Sequence, residues 1–84
     1  MKKFDEISPE YQKLLKDIGK ELKALRKAKD KSYIQLAKEI EGISRNTYNQ
    51  MELGKINFQF TTLLQVLDYH NLTIQEFFKN LPRS

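Results

Sequence analysis

Arg45, Asn46, Asn49 and Gln50 stand within one short stretch, Ile43 to Gly54, and their side chains are the ones in this sequence suited to specific recognition. A planar guanidinium offers paired donors that match the two acceptors of a guanine edge, and a carboxamide matches the acceptor and donor of adenine in the major groove. At helical pitch these residues share one face, while Thr47, Tyr48 and Met51 fall on another at spacings of three and four. One face is fit to read and the other to pack. A merely solvated polar face would look the same in isolation, so the choice rests on the surrounding elements. Catalytic chemistry has no counterpart here: the chain has no cysteine and a single histidine, His70, and no nucleophile accompanied by a base and an orienting group. No metal cluster, phosphate-cradling loop or cofactor is expected, and the chain is read as a non-enzyme.

The reading stretch is bounded at both ends. Ser44 can accept a bond from an unpaired N–H of the first turn, and Gly54 can close the helix in the left-handed conformation that other residues resist. Upstream, Ser8-Pro9 opens a first helix, with serine as the cap and proline where its missing N–H is harmless. Tyr11, Leu14, Leu15, Ile18, Leu22 and Leu25 draw one apolar stripe along it to about Ala28, with Lys13, Lys16, Lys20, Lys23 and Lys27 on the opposite side. Gly19 either weakens this helix or permits a close approach. Asp30-Lys31 forms a connection, Ser32 and Gln35 a capping box, and Leu36, Ala37 and Ile40 an inward face for a second helix that stops at Glu41-Gly42. Ile43 leads directly onward, so the second and third helices form a helix-turn-helix unit. Phe58, Phe60, Leu63, Leu64, Val66 and Leu67 predict a largely buried fourth helix with no clear capping side chain. Asn71 is a candidate C-terminal cap after His70, itself read as a packing residue or as a cation at the negative end of the helix dipole. Thr73 and Glu76 form a second capping box, and a fifth helix carries Phe77 and Phe78 towards Pro82. One of these phenylalanines is expected in the core and the other at a dimer contact.

Eighty-four residues, 39% of them hydrophobic, support one compact helical core, and three glycines and two prolines leave long uninterrupted runs. The opening Met-Lys-Lys-Phe-Asp-Glu is not followed by the apolar run of a secretion signal, and no stretch is long enough to cross a bilayer, so a cytoplasmic location is expected. The net charge of +4 is unevenly spread: residues 1–31 hold ten Lys or Arg against six Asp or Glu, whereas residues 32–60 (three against three) and 61–84 (two against two) balance. Such an excess suits a polyanion such as nucleic acid, and equally suits a solvated helix face.

Leu22-x-x-Leu25-Arg26, Ser32-x-x-x-Leu36-Ala37, Ile43-Ser44-Arg45-Asn46-Thr47-Tyr48-x-x-Met51-Glu52-x-Gly54-Lys55 and Leu63-Leu64-x-Val66-Leu67, in that order, resemble the phage repressor and Cro-type (XRE-like) family of helix-turn-helix DNA-binding proteins. The resemblance covers about residues 18–78. It implies an all-α, compact five-helix lambda-repressor-like domain over residues 18–80, with residues 1–17 as an N-terminal extension of the first helix and 81–84 as a C-terminal tail. It also implies that the second helix sits on phosphate by its N-terminus and that the third lies in the major groove. By position Arg45, Asn46 and Gln50 match the family's base readers, with Asn49 beside them, and Ser44 matches the cap of the recognition helix. Arg26 and Glu52 match a partly buried ion pair that ties the first helix to the third. Three departures stand out. The turn carries one residue more, Glu41-Gly42-Ile43 in place of Gly-Val; Tyr33 replaces a phosphate-binding glutamine; and Phe58-Gln59 stands where Pro-Ser commonly opens the fourth helix.

The resulting expectation is a sequence-specific regulator of transcription, a dimeric repressor that acts by occupying an inverted-repeat operator in double-stranded DNA, since 84 residues leave no room for a sensing domain. Lys31, Ser32, Tyr33 and Lys55 are the phosphate candidates, joined by Ser44 and Thr47 at the start of the reading helix. The rival is an antitoxin-like or adaptor module that binds a protein partner such as a toxin through its aromatic C-terminus, with Phe77 and Phe78 as the candidate dimer contact. RNA binding is disfavoured because the aromatics fall mainly at core spacings and form no open stacking platform.

Overall fold

Four of the five α-helix starts among the described residues are capped by side chains that accept bonds from the first turn. The computed structural model describes residues 4–81; the termination expected at Pro82 lies outside them, with all of the expected tail but Leu81. A 3-10 turn at Phe4–Glu6 precedes five helices, α1 (Pro9–Ala28), α2 (Tyr33–Glu39), α3 (Arg45–Leu53), α4 (Phe60–Tyr69) and α5 (Ile74–Lys79). Ser8 Oγ accepts from the Tyr11 N–H at 3.4 Å, and Pro9 occupies the first helical position. The Ser32–Gln35 and Thr73–Glu76 capping boxes are complete in both directions. Gln59 precedes α4 without a side-chain bond, in keeping with the lack of a capping side chain there. The structure is all-helical, with no strand among the described residues, and no described helix is long and apolar enough to cross a membrane.

The core is a single cluster to which all five helices contribute, Leu22, Leu36, Tyr48, Met51, Val66 and Phe77 being fully buried within it. Helix α1 packs closely on α3. A β-carbon at Gly19 would meet the backbone carbonyl oxygens of Met51 and Glu52, the former at 2.5 Å, so the absent side chain lets the helices touch. Further along, a β-carbon on Gly54 would lie 2.6 Å from the Lys16 Cα. The second option left open by Gly19, close packing, is the one realised.

Two expectations about burial are corrected. Tyr11 and Leu14 are 62% and 42% exposed rather than core. The physical reason is length: α3 ends opposite Lys16, so the first turns of α1 run past the body that would cover them. Phe60 and Leu64 are 60% and 38% exposed; four residues apart, they form a stripe at the edge of the one made by Leu63, Val66 and Leu67. Of the phenylalanine pair, Phe77 is wholly buried and Phe78 half-buried, their rings edge to face at 5.4 Å. Phe77 is therefore a core residue and no dimer contact in the folded domain. His70 ends α4 with its Nε2 buried and without a hydrogen-bond partner among the described residues. Burial, aided by the Lys29 charge, pushes its pKa below the usual 6.5, which makes it a neutral packing residue and not a helix-end cation.

Candidate nucleic-acid interface

The candidate reading helix is α3. Its N-terminus is capped by Ser44, whose Oγ accepts from the Thr47 N–H at 3.1 Å and donates to Thr47 Oγ1 at 3.0 Å. Its C-terminus closes in a Schellman pattern, the Gly54 N–H bonding to the Met51 carbonyl and the Lys55 N–H to that of Gln50, both at 3.1 Å. Gly54 adopts φ +68°, where a β-carbon would also collide with α1. The connection from α2 comprises residues 40–44 and bends at Gly42, φ +84°.

Tyr48 and Met51 anchor the inner face at full burial. Burial, with the neighbouring Glu52 carboxylate, pushes the Tyr48 phenol pKa upward, so the ring stays neutral. On the outer side Arg45 and Asn46 are exposed and Asn49 and Gln50 half-exposed. The four expected readers thus share the accessible side of a short rigid helix, with their polar ends free to meet base edges. Thr47 is intermediate in burial and joins neither group cleanly.

The orientation of this helix is held by an ion pair from α1. Arg26 Nε donates to Glu52 Oε2 at 2.7 Å and Nη2 to Oε1 at 3.0 Å, while Nη1 donates to the Lys31 carbonyl at 2.8 Å. The Glu52 side chain is 4% and that of Arg26 13% exposed, so water screens the pair little. The bond from Glu52 raises the Arg26 pKa against the opposing effect of burial. One guanidinium therefore clamps α1, α3 and the loop leading into α2.

The expected phosphate ligands are less uniformly placed. Lys55 is exposed and follows α3 directly. Ser32 is exposed, but its N–H is taken by Gln35 Oε1 at 2.9 Å, so its hydroxyl is what it can offer. Lys31 lies on Glu39 at 2.5 Å, and Tyr69 donates to the same carboxylate at 2.8 Å. These contacts raise the Lys31 pKa and lower that of Glu39, and they hold the Lys31 ammonium away from free use. Tyr33 is half-buried against the core and lines a groove of about 420 Å³ together with residues of α1 and α3. That groove also presents Asn49 and, across from it, Lys16, Lys20 and Lys23. Sequence reasoning placed these lysines outside but did not place them beside a reader; their four- and three-residue spacing on α1 was the available signal.

A family model described as helix-turn-helix matches residues 22–77. No curated protein and no solved structure gives a significant match.

Proposed function

The chain belongs to the phage repressor and Cro-type (XRE-like) helix-turn-helix DNA-binding family, and from that premise we propose that it is a dimeric repressor that occupies an inverted-repeat operator in double-stranded DNA. The observation that carries this reading is the division of α3, with Tyr48 and Met51 fully buried and Arg45, Asn46, Asn49 and Gln50 on its accessible side. Arg45 reads guanine by paired donors, and the carboxamides of Asn46, Asn49 and Gln50 read adenine. Lys55, the Ser32 and Thr47 hydroxyls and the Tyr33 phenol hold the backbone, giving affinity and register without sequence information, whereas Ser44, whose hydroxyl is donated to Thr47, serves as the helix cap. Lys31 contributes only when it leaves Glu39. Two copies bind half-sites about one helical turn apart, with Phe78, the half-buried member of its pair, at the contact between them. The site of action is the cytoplasm.

Selection of bound duplexes from a random pool at about 0.15 M salt tests this, because nonspecific attraction is then partly screened. An enriched inverted repeat is the expected result. Recovery of a single half-site would remove the dimer, and recovery of no sequence would remove the operator reading altogether. A second reading, an antitoxin-like or adaptor module, draws on a different observation: Tyr11 and Leu14 are exposed beside a groove of about 530 Å³ that they line with Ile7 and Leu15. It calls for a stable complex with a protein partner and for weak DNA binding indifferent to sequence.

A further inference from the structure

Lys16, Lys20 and Lys23 fall at spacings of four and three on α1 and are all exposed. They form one wall of the groove whose other wall carries Asn49, a base reader in the reading above. Glu52, the acid that lines this groove, is locked on Arg26 at 2.7 Å, so it does not neutralise the lysines. No ion pair holds any of the three among the described residues. Lys13, by contrast, is committed to Asp17 at 3.3 Å. Gly19 brings α1 unusually close to α3, and Gly54 lies against the Lys16 backbone. A helix so packed runs within about 8–10 Å of its partner's axis. The major groove is about 12 Å wide, with a phosphate strand rising on each side of a helix inserted in it. With Asn49 turned to the bases, the wall opposite it faces one of those strands.

We propose that Lys16, Lys20 and Lys23 form a phosphate-binding track along α1, which grips the DNA strand bordering the groove occupied by α3. The inference rests on the DNA-reading function proposed above and extends its interface. Lys16 and Lys20 lie before residues 22–77, so the family-matched region does not include them. The part of α1 that precedes the family-matched residues thereby acquires a role: it carries two further cations to the DNA backbone.

The test is the salt dependence of binding by the full chain, measured on the duplex enriched from the random pool and on a random-sequence duplex of equal length. The variant is Lys16→Gln with Lys20→Gln, which removes two charges but keeps each side chain's inner methylenes and hence the packing of Lys16 on Gly54. Each lost phosphate contact lowers the slope of log K against log salt by about 0.9, so the double variant should lose about 1.8 from the slope and bind about 30-fold more weakly at 0.15 M salt. The loss should be equal on both duplexes, leaving sequence preference intact, and Lys→Arg at both positions should restore the slope. Lys29→Gln with Lys79→Gln, the first of them lying over the Tyr69 ring at 5.4 Å, removes the same charge elsewhere and should leave the slope nearly unchanged. An unchanged slope in the Lys16/Lys20 variant overturns the track while leaving the operator reading in place. A loss of the same size in the control pair also overturns it, since net charge alone would then suffice. If the unaltered chain shows no preference for any duplex, the function itself fails and the track fails with it.

Discussion

Breaking the Arg26–Glu52 pair is the most informative perturbation of the fold, because the pair is both desolvated and positioned to orient the reading helix. Arg26→Met leaves the Glu52 carboxylate, 4% exposed, without its cation, and Glu52→Met leaves the guanidinium, 13% exposed, bonded only to the Lys31 carbonyl. Leaving one buried charge uncompensated costs about 3–5 kcal/mol, whereas replacing both partners by apolar side chains of similar volume is often close to neutral. A domain of 84 residues has about 4–13 kcal/mol of stability in all. Each single variant should therefore lie near the edge of folding, with a melting temperature lowered by roughly 12 °C or more. The double variant should recover to within about 1 kcal/mol of the unaltered chain, giving a coupling energy of several kcal/mol in a double-mutant cycle. Urea unfolding followed by circular dichroism supplies all four stabilities. Single variants losing under about 1 kcal/mol each, with an additive double variant, would refute the reasoning, because the pair would then behave as an exposed one. In the stable double variant α3 is no longer pinned by a bidentate contact, and its discrimination between the selected and random duplexes should fall.

Gly19→Ala should destabilise by about 1–3 kcal/mol despite alanine's better helix propensity, because its methyl must push the Met51 carbonyl away from 2.5 Å; a stabilised variant in thermal unfolding would show that α1 and α3 have room to part. The folded-state pKa of His70 is depressed by burial and by Lys29, so the unfolded chain takes up the proton first. Its contribution to stability is complete above the unfolded pKa near 6.5 and declines as pH falls from there towards the folded pKa. His70→Phe should flatten that segment of the stability profile, and NMR titration of the imidazole in the folded chain should give a value below 6.5. Arg45→Ala should relax preference at one base pair by about 1–3 kcal/mol while leaving the salt slope almost untouched; a uniform loss on every sequence would make Arg45 a backbone contact instead.

Sequence alone determined where four of the five helices start and how the reading helix is bounded. Ser8, Ser32, Ser44 and Thr73 each cap within one turn, and Gly54 and Asn71 take the left-handed conformation expected of them. These are interactions between residues three to five apart, so the local chain contains both partners. The polar and apolar sides of α3 were legible for the same reason, as helical pitch converts spacing into direction. Whether a face is covered depends instead on what stands opposite and how far it extends. The stripe from Tyr11 to Leu25 is continuous in the sequence, yet its first members outrun α3 and face water. Lys31 resembled a free cation until the fold brought Glu39 and Tyr69 to it. Gly19 could weaken α1 or admit a neighbour, and only the carbonyls of Met51 and Glu52 pressed against it decide between the two. The lysines of α1 were visible as a row, but their position beside Asn49 is a property of the crossing of two helices, which no spacing within either one specifies.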